Sequence, residues 1–402
     1  MFFWRLARRL RADGHRVTKI NLSMGDHLTW PRLGAINFRG PADRWPGFLA
    51  RVLADRAVTD VVLCGEQKAL HKAALPVIHD HGAQVVVTDF GYLRPDWITL
   101  ELDGMSGLSR FPRDPDAIRA LAAQVDPPDL TAVYHDGFGR LVAWETTTDI
   151  LTWFYWFLFP HYRTHLPVNP VRMYLSSGWR LLGRRRRDKA ARAVVAALIA
   201  DPRPYVVFPL QMEMDFQIRA YSPYAGLREP IAEVLESFGR YAPAAMRLAV
   251  KIHPLDQGLT RWDHVIAKMA ADRGLADRVV VFDGGSLPDL LEAASGVITV
   301  NSTVGIWALR AERPVLVLGD AVYDVPGLTH QGGLDGFWAA PQSPDPDLVG
   351  AWIAAVAGTI QVRGAYYDSA GMDRAVTEAA FRLSRGLVSQ PLRHSDLPFV
   401  AG

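Results

Sequence analysis

Gln211, Glu213 and Asp215 follow directly on the apolar run 205–210, which reads as a buried strand ending where the polar side chains begin. Ligands on open α/β sheets bind beyond the carboxyl ends of the strands, so Asp215 is placed to meet a substrate. An aspartate at this point can equally cap the helix that follows, by accepting the free N–H groups of its first turn. The segment alone leaves both roles open. Glu213 and Asp215 also have the spacing of a metal clamp, but no other hard ligand stands nearby in sequence, and no metal is expected.

The second half of the chain repeats this strand-then-polar-loop arrangement. Gly296-Val-Ile-Thr-Val runs into Asn301, Ser302 and Thr303 and then into a helix, with Gly305 close behind. Such side chains cap a helix, and the free N–H groups there can also hold a phosphate. Lys251 and His253 mark another strand end, just before Pro254, where they could contact a leaving-group phosphate. The loop Asp283-Gly-Gly-Ser286 closes a third strand and reads either as a cradle for a nucleotide base or ribose or as a plain turn. In the first half Asp89 sits at a strand end, with Tyr92 and Arg94 just beyond it. The Arg94 guanidinium could fork onto a substrate carboxylate, or it could pair with Asp96 or Glu101.

The elements that must carry these residues alternate between helix and strand. The first half reads as helix 2–13 ended by Gly14, strand 16–22, helix 45–56, strand 60–63, helix 68–81 closed by Gly82, and strand 83–88. Residues 125–200 form a mostly helical middle. The alternation then restarts with strands 205–210, 247–252, 278–282, 296–300 and 314–318 between helices 228–240, 261–273, 286–294 and 303–311. This rhythm predicts parallel sheets with helices on both faces. Two Rossmann-like domains follow from it: 1–200 on the acceptor side, with a helical insert at about 125–200, and 201–372 for the nucleotide. The helix 373–386 is expected to cross back to the first domain, with the tail running to 402. A strand and a Gly-rich loop ordinarily precede a helix placed like 2–13. The natural protein is therefore expected to start upstream, or its start codon to be misassigned, with part of a binding loop absent.

A length of 402 residues fits two domains. A hydrophobic share of 49% and a charged share of 21% are those of a globular protein, and a net charge of +2 gives no field that would select nucleic acid. The single cysteine, Cys64, excludes a disulfide framework and a Cys-rich metal site and fits a reducing cytoplasm. The aromatic run 150–160 is shorter than the roughly 20 residues that a membrane span needs. That run and the basic stretch Arg184–Arg187, Lys189 and Arg192 leave two readings, a solvated helix face or contact with an anionic membrane surface.

With these residues assembled, the chain resembles the capsule polysaccharide biosynthesis family of the KpsS/LipB type. The resemblance is carried by Gly91-Tyr-Leu-Arg-Pro-Asp-Trp-Ile-Thr-Leu-Glu101, by 209–218, by Lys251-Ile-His-Pro254, by Val300-Asn-Ser-Thr-Val-Gly305 and by Tyr323-Asp-Val-Pro-Gly-Leu-Thr-His-Gln331. It implies a GT-B-like α/β fold, with two parallel-sheet domains facing a cleft, and a retaining transferase of β-Kdo, an eight-carbon acidic ketose. The implied donor is CMP-Kdo, with no further cofactor. The implied acceptor is a lysophosphatidylglycerol-type lipid at the cytoplasmic side of the inner membrane, where other capsule proteins could be partners. The family's catalytic carboxylate would correspond to Asp215, with Asp89 as acceptor-side base. Gln211, Lys251, His253, Asp283, Asn301, Ser302 and Thr303 would serve the donor, and Tyr92 and Arg94 the acceptor or the Kdo carboxylate. Family members usually carry two acids ahead of the Gly-Tyr pair, whereas this chain has Asp89-Phe90. In the resulting picture Asp215 and the phosphate pocket face each other across a gap between two sheets. The rival readings are a nucleotide-sugar epimerase of the same fold and a non-catalytic component of capsule assembly.

Overall fold

The computed structural model describes residues 1–30, 34–134, 137–163, 170–213 and 215–397. The chain divides into two α/β units, one made of residues 1–111, 119–165 and 353–402 and the other of 112–118 and 166–352. The division differs from the expected boundaries at 200 and 372: residues 166–200 go with the second unit and 353–372 with the first. Part of the expected helical middle, 135–136 and 164–169, lies outside the described residues.

In the first unit, β1 (Ile20–Asn21) and β2 (Ile36–Asn37) form a small parallel pair of their own. The expected strand 16–22 thus shrinks to two residues. A separate four-stranded sheet contains β3 (Asp60–Cys64), β4 (Gln84–Phe90), β5 (Trp97–Leu102) and, from late in the chain, β11 (Gln361–Arg363), in the order β11-β5-β4-β3. β3 and β4 are parallel, but β5 runs antiparallel to β4 and β11 antiparallel to β5. This sheet is therefore mixed where a parallel one was expected. The reason is local: only residues 91–96 separate β4 from β5, too few for the crossover that a parallel return needs.

Helices Phe2–Ala12 and Ser369–Arg385 share a buried cluster with this sheet, in which Phe2, Leu6, Val86, Ile98, Met372 and Val376 meet. Arg5 pairs with Asp373 at 2.6 Å on its rim. The late helix therefore does return to the first unit, beginning at Ser369 rather than at 373.

Arg382 is the charged group buried most deeply in that helix, at 2% exposure. It pairs with Glu378 at 3.0 Å and donates to the carbonyls of Gly358 and Thr359 at 3.2 Å each, at the carboxyl end of helix Pro346–Thr359. Those carbonyls lack partners within their own helix. Removing the guanidinium strands both the carbonyls and Glu378. Arg382→Met should therefore cost about 3–5 kcal/mol in urea unfolding, whereas Arg385→Met on the exposed side should change stability by less than about 0.5 kcal/mol.

The second unit is built on five strands, all parallel: β6 (Tyr205–Pro209), β7 (Arg247–Ile252), β8 (Val279–Asp283), β9 (Gly296–Thr299) and β10 (Val315–Val317), ordered β10-β9-β6-β7-β8. Every residue of β6, β7 and β9 is buried, as a sheet covered on both faces requires. The core gathers Phe208, Phe238, Leu248, Ile266, Ile298 and Trp338. The Trp338 indole N–H, which would be costly to bury unpaired, donates to Ser237 at 2.8 Å. Because the strands are parallel, β6, β7 and β9 all end on the same side of the sheet, where the candidate residues lie.

Candidate active site

The chain leaves β6 through Leu210, whose N–H is held by the Lys251 carbonyl at 2.8 Å, and Gln211 follows, buried. The Gln211 amide joins two strand ends. Its Nε2 donates to Asp215 Oδ2 and to Asn301 Oδ1, each at 3.3 Å, and its Oε1 accepts the Asn301 N–H at 3.3 Å. Asp215 Oδ1 accepts the Gln217 N–H at 2.9 Å and so caps helix Phe216–Ala220. The cap and a position at the strand end thus coexist. Donors on both oxygens set the carboxylate's orientation, and each oxygen has a second lone pair for chemistry.

Asp215 does not face the Asn301–Thr303 turn from another sheet. The two lie at the ends of neighbouring strands, β6 and β9, of one sheet. The expected gap between two sheets is corrected on this point, and the reason is plain in the topology, because one amide side chain spans the distance.

The turn after β9 is rigid. The Ser302 N–H donates to Thr299 Oγ1 at 3.1 Å, its hydroxyl accepts the Val304 N–H at 3.2 Å, and its carbonyl takes the Tyr323 hydroxyl at 2.5 Å. Thr303 stands at the cap position of helix Val304–Arg310 but makes no side-chain cap bond there. Two turns of helix stand where nine residues were expected, so the hydroxyls, and not a long helix dipole, are the turn's main means of holding an anion.

His253 follows β7, the other neighbour of β6. Its Nδ1 accepts the Leu255 N–H at 3.0 Å, which places the proton of the neutral ring on Nε2 and makes that nitrogen a donor.

Two expected donor contacts are engaged elsewhere. Lys251 is buried and gives its ammonium to the Gly284 carbonyl at 2.7 Å, and burial pushes its pKa below the ordinary lysine value. Asp283 is clamped by Arg180 at 2.6 Å and Arg187 at 2.7 Å. The loop from Asp283 to Ser286 is a seat for helix Arg184–Ala200: a Cβ on Gly284 would lie 2.9 Å from the Asp188 backbone, and the Gly285 N–H donates to Asp188 at 3.1 Å. Glycines fit there because the helix comes so close, which corrects the reading of a base or ribose cradle. Glu213 takes the Thr260 hydroxyl at 3.1 Å, and among the described residues no cluster of His, Cys, Asp and Glu could hold a metal.

The acceptor-side candidates lie in the first unit. Asp89 ends β4, half-buried, with Oδ1 on the Phe90 N–H at 2.7 Å. It helps to keep the Lys68 ammonium above the usual lysine range, together with Cys64, which contributes most, and Asp26. Tyr92 does not reach a ligand surface. It is buried, its hydroxyl donating to Glu101 and accepting the Ser106 N–H, each at 2.7 Å. Arg94 is exposed and lies over the Phe90 ring at 5.1 Å, with Nε on the Gly91 carbonyl at 3.3 Å. The surface partners expected for it are themselves buried: Asp96 accepts the N–H groups of Val133 and Tyr134, and Glu101 bonds Tyr92 and Ser109.

Sequence reasoning missed two residues. Tyr323 orients the Ser302 carbonyl, and its signal was Gly305, because the tyrosine ring fills the space a Cβ would need. Glu101 is the other, its carboxyl pushed up to about 8 by burial.

Two expectations follow. Gly305→Ala should displace Tyr323 and lower stability by about 1–3 kcal/mol by overpacking. Adding Tyr323→Ala should recover part of that loss in urea melts, because it removes the clashing ring. For Glu101, the folded pKa lies above the unfolded value. Between about 4.5 and 8 the folded state therefore keeps a proton that the unfolded state has lost, and stability falls as pH rises. Glu101→Gln keeps the shape and a donor without the charge, so melts from pH 5 to pH 8 should show a shallower decline than the parent protein.

The sequence profile described as capsule polysaccharide biosynthesis protein matches residues 59–367. The chain is 31% identical over 378 residues to the capsule polysaccharide export protein KpsS of Escherichia coli, covering 91% of this chain and 94% of that protein. It is 30% identical over 375 residues to the capsule polysaccharide modification protein LipB of Neisseria meningitidis, covering 91% and 89%. The β-Kdo 2,7-transferase of Thermosulfurimonas dismutans KpsC superposes with a TM-score of 0.46 at 15% identity, over 92% of this chain and 99% of the other. On the profile match and the two sequence relatives, the chain belongs to the capsule polysaccharide biosynthesis family.

Proposed function

We propose that this protein is a retaining glycosyltransferase that moves β-Kdo from CMP-Kdo to a lysophosphatidylglycerol-type lipid, starting the linker on which capsular polysaccharide is exported. The observation that carries the reading is the Gln211 amide, which ties the Asp215 carboxylate to the Asn301–Thr303 turn within one strand-end cluster. A nucleophile and an anion-holding turn one side chain apart are what displacement of a phosphate-bearing group requires.

In the first step an Asp215 oxygen attacks the anomeric carbon of the donor. The bond to CMP breaks, and its electron pair leaves with the phosphate. The Ser302 and Thr303 hydroxyls and the His253 Nε2–H hold the charge that develops there. CMP is a weak base and departs without a proton. In the second step the acceptor hydroxyl attacks the Kdo–Asp215 ester, gives its proton to Asp89, and releases the Asp215 carboxylate. Two inversions amount to retention. Lys251 and Asp283 contribute by fixing the loop beside β8 and its covering helix.

A place on the cytoplasmic face of the inner membrane is supported separately in each unit. The first exposes Trp153, Phe154, Trp156 and Phe157, and the second exposes Arg184, Arg185, Arg186 and Lys189. Such groups suit the headgroup layer of an anionic bilayer. No helix among the described residues is long and apolar enough to cross a membrane.

The test is to supply CMP-Kdo, generated in situ, with lysophosphatidylglycerol and to weigh the lipid product. Addition of one Kdo is expected, with Asp215→Asn and Asp215→Ala slower by on the order of 10³-fold or more. Full activity in either variant removes Asp215 as nucleophile. Release of free sugar or an altered nucleotide sugar would point to the epimerase reading, and donor binding without turnover to the assembly component.

A further inference from the structure

The two sheets of the first unit stop short of each other. β3 pairs with β4 on one edge and β1 with β2 on one edge, and among the described residues neither carries a strand on its other edge. A cavity of about 780 Å³ opens here, lined by Ile20 and Leu22 on one side, Val62 and Cys64 on the other, and Leu6 and Leu53 from the flanking helices. A strand of five residues occupies a similar space, about 800 Å³, from a rise of ~3.3 Å per residue, a strand spacing of ~4.8 Å and a layer spacing of ~10 Å.

The backbone points the same way. β1 gives the carbonyls of Lys19 and Asn21 to β2. Its alternate groups are met by side chains: the Ile20 carbonyl by the Lys19 ammonium at 2.7 Å, and the Leu22 N–H by Asp26 at 3.0 Å. These charged groups stand where strand partners would otherwise bond. β3 bonds β4 through the Thr59 carbonyl and the Gly65 N–H, so the alternate residues Asp60, Val62 and Cys64 address the cavity.

The connection is in place as well. Phe2 packs edge-on against Tyr366 at 5.1 Å, and the Tyr366 hydroxyl meets Thr88 Oγ1 at 2.7 Å, next to Cys64 in the β3–β4 register. Helix Phe2–Ala12 therefore starts at the carboxyl end of β3. A strand lying parallel to β3 in the cavity would end beside that point and would form, with the helix and β1, a βαβ unit.

We propose that this cavity is the seat of one further apolar strand, parallel to β1 and β3 and joined to the amino end of helix Phe2–Ala12, which unites the two sheets into one. An alkyl chain of similar volume is disfavoured, because it would lie against backbone edges and the Lys19 and Asp26 charges without bonding to them.

The test compares two amino-terminal extensions of the full chain. One carries a five-residue Val/Ile strand followed by a glycine-containing loop. The other is identical except for proline at alternate strand positions, which removes ladder donors. The strand extension, and not the proline control, is expected to slow amide exchange at Ile20, Leu22, Val62 and Cys64 by at least about tenfold. It should also slow maleimide labelling of Cys64 and raise Tm by about 2–4 °C or more. Equal behaviour of the two extensions overturns the proposal. So does protection of the same amides by lysophosphatidylglycerol micelles in the unextended chain, since that outcome assigns the cavity to an acyl chain. Neither outcome involves the residues around Asp215, so the glycosyltransferase reading stands or falls separately.

Discussion

A primary amide has a donor end and an acceptor end, and burial makes their assignment consequential. At Gln211 the acceptor end is committed to the Asn301 N–H, so the donor end must face Asp215 and the Asn301 carbonyl oxygen. Rotating the amide by half a turn would set N–H against N–H and oxygen against oxygen at 6% exposure, where water offers little relief. Asn301 is committed in turn, its own amide donating to the carbonyls of Gln217 and Tyr221. Helix Phe216–Ala220 is a single turn and would not persist alone. It is held at its start by Asp215 and along its carbonyls by Asn301. The orientation of the carboxylate, the short helix and the turn after β9 are thus one hydrogen-bonded object.

The third loop of that sheet has a different job. Arg187, from the basic run, is turned inward with Arg180 onto Asp283, while Arg184, Arg185 and Arg186 remain exposed. One stretch of arginine thus has two fates, decided by the face of the helix on which each residue falls. Lys251 adds a buried donor to the Gly284 carbonyl from below. The close approach of the helix explains both glycines, and the same approach leaves no room for a nucleotide base at that place.

Much of the second unit was legible because parallel strands are buried on both faces and read as unbroken apolar runs. β7 falls at its expected residues, and β6, β8, β9 and β10 lie within one residue of theirs at each end. β5 and β11 escaped notice for the converse reason. Trp97–Leu102 carries Glu101, which looked like a surface acid until Tyr92 and Ser109 were seen to satisfy it, and β11 has only three residues. Asp215, Gln211 and Asn301 could be placed because strand ends are visible in sequence. Tyr92, Lys251 and Asp283 were misjudged because the direction of a side chain depends on neighbours distant in the chain, such as Arg180 and Ser106, which no local pattern reveals.

The interruption between β1 and β3 bears on how the molecule behaves in company. Exposed backbone on both banks of an apolar trench offers a template to any extended polypeptide that drifts by, another copy of itself included. Natural sheets blunt such margins with charge, and here Lys19 and Asp26 sit at one bank only. Handling at high concentration therefore favours pairing through the β3 margin, and solubility becomes a sensitive report on whether the trench is filled.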